Sequence, residues 1–151
     1  MRAVYLDTEF TCLRIDRALI SLALVDSAGA EFYVELTDGW SPHDCSDFVK
    51  SVVLPQLNHA RCGVTTQEAR KAVRSFLEGL GQVEIVGDAL RWDWPLLLEL
   101  LGSTGLPSNV VGCREVSDCA STEIPEEIPH HALLDARILC RLCESGQPAS
   151  L

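Results

Sequence analysis

Val4-Tyr5-Leu6-Asp7-Thr8-Glu9-Phe10 places two carboxylates at the end of an apolar run, and the rest of the chain organises around it. Side chains alternate along a strand with period two, so Asp7 and Glu9 share one face while Leu6 and Thr8 share the other. Ala3 to Leu6 is apolar at every position, the pattern of a strand covered on both faces at the centre of a sheet. Two acids at the edge of such a strand repel each other and lose hydration. They take up protons unless a cation neutralises them, and a divalent metal is the simplest cation to do so. A solvated turn accounts for the heptapeptide alone equally well, so the decision falls to partners elsewhere in the chain.

Working outward, Leu19 to Val25 and Glu31 to Leu36 predict two strands, joined as an antiparallel hairpin by Asp26-Ser27-Ala28-Gly29. Ser46 to Leu54 predicts a short helix stopped by Pro55. Thr65-Thr66-Gln67-Glu68 is a capping box that opens a stronger helix. Val73, Phe76, Leu77 and Leu80 form its apolar face; Arg70, Lys71 and Arg74 cluster on another, read as a solvated face or a track for phosphates. Val83 to Gly87 predicts a fourth strand, Asp93 to Leu101 an apolar helix entered through Pro95, and Val110-Val111 a weak fifth strand. Ser121 to Pro129 is expected to be a mobile loop, His130 to Cys143 the last helix, and Glu144 to Leu151 a disordered tail.

The chain has 151 residues, enough for one domain with a sizeable core, expected over residues 1–143. No apolar run reaches the ~20 residues of a membrane span, and no signal-peptide pattern precedes Tyr5, so a cytoplasmic protein is expected. Seven scattered cysteines make no disulfide framework. Cys140 and Cys143 fall late in a helix, whereas a redox pair sits at a helix start and a zinc site needs a second pair. A net charge of −10, from 22 acids and 12 bases, excludes a basic nucleic-acid coat protein. A polyanionic substrate would be attracted by metal and local contacts, against the overall field.

Two further stretches carry acids. In Trp92-Asp93-Trp94-Pro95-Leu96-Leu97, Asp93 taken alone reads as a helix N-cap. In His130-His131-Ala132-Leu133-Leu134-Asp135-Ala136, Asp135 taken alone reads as a surface acid favoured by the helix dipole. In order, Asp7-x-Glu9, Asp93, and His130 with Asp135 resemble the DEDD superfamily of 3′-to-5′ exonucleases in its histidine-bearing branch. With Leu19-Ile20-Ser21-Leu22, Leu97 to Gly102 and His130 to Arg137 included, about residues 2–143 look like a compact bacterial subfamily of 3′-to-5′ exoribonucleases. The bulky Trp92 and Trp94 depart from that pattern.

The resemblance implies an α/β, ribonuclease H-like fold: a five-stranded mixed sheet, first strand central, flanked by helices on both faces. It implies two divalent metal ions held by Asp7, Glu9, Asp93 and Asp135, and a catalytic base. Mg²⁺ or Mn²⁺ suits such an all-carboxylate set better than zinc. The spacing of the histidine branch, five residues before Asp135, selects His130 as the base; the tyrosine-branch spacing of four would select His131. The expected substrate is nucleic acid with a free 3′ end, RNA favoured over DNA, cut to nucleoside 5′-monophosphates, and a homodimer is plausible within the family. Phe10, Thr11, Trp92 and Trp94 are candidate substrate contacts, with core packing the competing role for the aromatic residues.

Three other readings stand beside this one: a DNA-directed exonuclease, a non-catalytic nucleic-acid-binding module and an aspartyl phosphatase of the haloacid dehalogenase type. The phosphatases use Asp-x-Asp and an essential lysine, whereas here the second acid is Glu9 and the only lysines are Lys50 and Lys71. A binding module has no reason to gather four acids around one point.

Overall fold

Strand β1 (Arg2–Phe10) lies inside the sheet, and its Val4, Tyr5 and Leu6 are completely buried, as an unbroken apolar run demands. The structure, a computed structural model, describes residues 1–116 and 128–145. The six-stranded mixed sheet has the order β4-β3-β2-β1-β5-β6, with β2 (Leu19–Asp26), β3 (Glu31–Leu36), β4 (Gly63–Val64), β5 (Val83–Gly87) and β6 (Val110–Glu115). β1 pairs antiparallel with β2 and parallel with β5. Five of these strands occupy the expected positions. The sixth, β4, is a two-residue strand added parallel to β3, too short to carry a periodic signal in sequence.

The β2–β3 turn forms as its residues suggest. The Asp26 carboxylate accepts from Ala28 N–H at 3.2 Å, and Gly29 takes φ +104°, which glycine adopts without steric penalty. On one face of the sheet, Val4, Leu6, Leu22 and Leu24 pack against α2 (Thr66–Glu78) and α3 (Leu90–Leu101). On the other, Ala23, Val25 and Tyr5 pack against α4 (Ala132–Ser145). Each fully buried leucine in these layers contributes roughly 1.5–3 kcal/mol of transfer free energy.

The Thr65–Glu68 capping box is present at the start of α2. Arg70 and Arg74 on that helix reach backbone carbonyls: Arg70 Nε donates to Leu100 O at 2.6 Å and Arg74 donates to Gly105 O, tying α2 to the end of α3 and to the turn that follows it. The helix expected over Ser46–Leu54 is instead a π-helical turn, Val49–Val53, running into a 3-10 turn, Leu54–Gln56. Pro55 sits inside the second turn, near its start, where its missing N–H does least harm. The short helix α1 (His59–Cys62) follows, capped by the Asn58 side chain.

Helix α3 begins at Leu90, three residues before the expected start, with Pro95 inside it. Helix α4 begins at Ala132 and runs to Ser145, past the expected end, with Tyr5 donating to the Glu144 carboxylate at 2.5 Å. Residues 121–127 of the expected loop and 146–151 of the expected tail lie outside the described residues. Cys140 is a free thiol, so the CxxC is not a closed pair; Cys143 is disulfide-bonded, against the expectation of reduced cysteines. Among the described residues no helix is long and apolar enough to cross a membrane.

Candidate metal centre

The two faces of the sheet deliver acids to one end of β1. Alternation along β1 puts Asp7 and Glu9 on the α4 side, and Asp135 projects from the first turn of α4. Asp93 comes from α3 on the opposite face, where it accepts from the Thr8 hydroxyl at 2.5 Å. It is not a helix cap. Ala89 occupies the N-cap position without a side-chain bond, and the Leu90 N–H is taken by the Glu115 carboxylate at 3.1 Å.

Side-chain atoms of Glu9, His130 and Asp135 lie within 4.8 Å of one another, and so do those of Asp7, Asp88 and Asp93. Asp88 is the acid that sequence reasoning missed. It follows Gly87 at the C-terminal end of β5, parallel to β1. Its signal was the one that drew attention to Asp7, an acid directly after an apolar strand, at the edge where α/β sheets gather ligands.

Asp7 Oδ2, Asp93 Oδ2 and Asp135 Oδ1 are buried and lack a hydrogen-bond partner. Unpartnered buried carboxylate oxygens are costly, and three of them on the wall of one cavity fit bound cations. The donors are carboxylates with one imidazole, a set suited to Mg²⁺ or Mn²⁺. Residues that could hold such an ion therefore fall into two groups, Glu9, His130 and Asp135 in one, and Asp7, Asp88 and Asp93 in the other.

Without metal, the acids hold their protons to higher pH than ordinary carboxyls. Burial, then the charges of Asp93, Glu9 and Asp135, push the Asp7 carboxyl well above its ordinary range. Burial and the neighbouring Asp135 push Glu9 up to about 8. Burial raises Asp93 to about 7 against the opposing Thr8 hydrogen bond, and raises Asp135 to about 6 against the charge of His130. A carboxyl raised in the folded state stabilises the fold fully below its unfolded value of about 4 and loses that contribution as pH rises through the folded value. In chelator, the melting temperature is therefore expected to fall between about pH 5 and pH 8, and Mn²⁺ should flatten the decline by replacing the protons. Melts by scanning fluorimetry at both pH values check this; a chelated protein more stable at the higher pH would contradict it.

The acids open onto a cavity of about 820 Å³ lined also by His130, Phe10, Trp92, Leu13, Phe48 and Ile128, with no lysine or arginine among the described residues of its wall. Phe10 and Trp92 stack at 6.0 Å between centroids. The Arg17 guanidinium lies 4.9 Å from the Trp92 ring and donates to Trp92 O at 2.6 Å, fixing the pair. The His130 and Phe48 rings make a T-shaped contact, 4.8 Å between centroids.

Two candidate substrate contacts are not in the wall. Thr11 is buried, with its hydroxyl accepting from Ala18 N–H at 3.1 Å. Trp94 packs against the core, because residues two apart on a helix point to nearly opposite sides. His131 is also turned away: its ring packs on Tyr33 at 4.8 Å, and burial holds its pKa below the ordinary histidine value.

No family model matches the sequence, and no curated protein matches it. Solved structures do. Cell-death related nuclease 4 superposes with a TM-score of 0.63 at 12% identity, over 95% of this chain and 62% of that one. A 3′-exonuclease, from a structure of 3′-end specific recognition of a histone mRNA stem-loop, gives 0.61 at 14%, over 99% and 71%. The Neurospora crassa Pan2 catalytic unit, with protease and nuclease domains, gives 0.58 at 16%, over 95% and 26%. This chain thus spans about three fifths of the length of the first of these proteins. The likeness is one of fold, and the chain has a ribonuclease H-like α/β fold.

Proposed function

We propose that this protein is a metal-dependent 3′-to-5′ exonuclease that acts on RNA and releases nucleoside 5′-monophosphates. The observation that carries the reading is the convergence of Asp7, Glu9, Asp93 and Asp135, three of them with unpartnered buried oxygens, beside His130 in one cavity.

Asp7, Glu9, Asp93 and Asp135 would hold two divalent ions, Mg²⁺ or Mn²⁺. When bound, such ions supply a more acidic water and neutralise charge on the phosphate and leaving oxygen. An imidazole nitrogen of His130 takes the proton of the attacking water, the task for which histidine is best suited at neutral pH. Phe10 and Trp92 offer the terminal base an aromatic surface, and base stacking contributes about 1–3 kcal/mol per base. The apolar side chains around the acids lower the local dielectric and strengthen their electrostatic effect. RNA is favoured by the sequence resemblance to exoribonucleases, and one structural neighbour recognises the 3′ end of a histone mRNA stem-loop.

With no lysine or arginine among the described residues of the cavity wall, few counterions are released on binding. Each neutralised phosphate contributes about −0.7 to the log-log salt slope on single strands, so a slope of only about −1 to −2 is expected. Measuring binding of matched RNA and DNA strands with an inert metal such as Ca²⁺, across salt concentrations, tests both points. A steep slope, or preference for DNA, would overturn the assignment of an end-held RNA substrate.

A further inference from the structure

Among the described residues, His130 is the one non-glycine residue at positive φ, +53°. Left-handed backbone is disfavoured for a residue with a Cβ and persists only where neighbours enforce it. The enforcing group is Gln56. Its Nε2 donates to Pro129 O at 2.7 Å, lies 3.3 Å from His130 O, and donates to Val52 O at 2.9 Å. A side-chain amide carries two N–H groups. With Val52 O taking one, the other is shared by the carbonyls on either side of His130. Those two rigid peptide planes are related only by the φ and ψ of His130, so one donor engaging both restrains the two angles.

The donor itself is firmly mounted. Gln56 ends the Leu54–Gln56 turn, which continues the π-helical turn whose Val49 and Val53 pack with Ile20 and Cys45. Two residues on, Asn58 N–H donates to the buried Glu35 carboxylate at 2.7 Å. The same segment brings Phe48 against the His130 ring in a T-shaped contact. One anchored stretch, far from the acids in sequence, thus grips both the backbone and the imidazole of His130.

We propose that Gln56 is a positioning residue that holds His130 in its left-handed conformation and so aims the imidazole at Glu9 and Asp135. Its kinetic consequence rests on the nuclease reading above; its structural consequence does not. Gln56→Met keeps length and packing while removing both N–H groups. With Mn²⁺ and 3′-labelled RNA, kcat is expected to fall roughly 10- to 100-fold, the scale of a displacement of about 1 Å at a reacting group. KM and Mn²⁺ affinity should not change, and in a His130→Ala background the substitution should add nothing. Independently, the NMR signals of the ¹³C-labelled His130 ring, assigned by their loss in His130→Ala, should lose the ring-current shift from Phe48.

Unmoved His130 signals, or an equal fall in kcat with and without His130, would overturn the proposal. Wild-type protein that fails to cleave RNA would instead overturn the nuclease reading, and the NMR measurement would still decide the role of Gln56. Should Gln56→Met not fold, Gln56→Asn, which draws the amide back by one methylene, is expected to give the same signal changes.

Discussion

Asp7→Ala is expected to abolish metal binding and to lower kcat/KM by at least about 10³, more than about 4 kcal/mol of transition-state stabilisation. Asp7 sits between the two groups of candidate ligands. It shares 4.8 Å proximity with Asp88 and Asp93, and its strand neighbour on the same face, Glu9, belongs with Asp135. The charges of Asp93, Glu9, Asp135 and Asp88 all act on its carboxyl. Removing it therefore takes a ligand from the point where the acids meet. Loss of fold would mimic this loss of activity, and stability separates the two. In chelator at about pH 8, Asp7→Ala should melt at or above wild type, because it relieves repulsion and burial of a charge. Calorimetry with Mn²⁺ and a chelated melt check both halves; full Mn²⁺ affinity in the variant would remove Asp7 from the centre.

His130→Ala is expected to slow turnover by about 10²–10⁴, the usual contribution of general-base catalysis, while leaving Mn²⁺ affinity nearly intact. His131→Ala should do little, because that ring packs on Tyr33, away from the cavity. The pair of variants distinguishes base from ligand. His130 is close enough to Glu9 and Asp135 to coordinate with them. If His130→Ala lowers Mn²⁺ affinity as steeply as it lowers kcat, the imidazole is a ligand. If His131→Ala is the damaging change, the four-residue spacing identifies the base.

Features written in local chemistry were readable from the chain. The apolar run before Asp7, the Asp26–Gly29 turn and the Thr65–Glu68 box each act within a few residues, and each appears where expected. Features set by tertiary contact were not. The true cap of α3 is Glu115, distant in sequence, so Asp93 looked like a cap. Arg70 and Arg74 reach carbonyls at the end of α3 and in the turn that follows it, which no helical wheel reveals. Flanking Asp93, Trp92 and Trp94 had equal claims as base contacts; helical geometry dictates that they diverge, and only the packed structure shows that Trp92 faces the cavity. Asp88 carried the same signal as Asp7 and was legible in principle. Gln56 carried none, since its partners lie on another segment.

The most direct test follows the first product from linear, 3′-labelled RNA incubated with Mn²⁺, beside a 3′-phosphorylated strand and a circular RNA of the same sequence. A cavity with a stacked aromatic pair beside the acids should hold a free strand end. Labelled nucleoside 5′-monophosphate is expected as the first product, lost in chelator, with the blocked and circular substrates intact. Internal cuts in the circle, or tight binding in chelator without cleavage, would contradict a metal-dependent attack on the 3′ end.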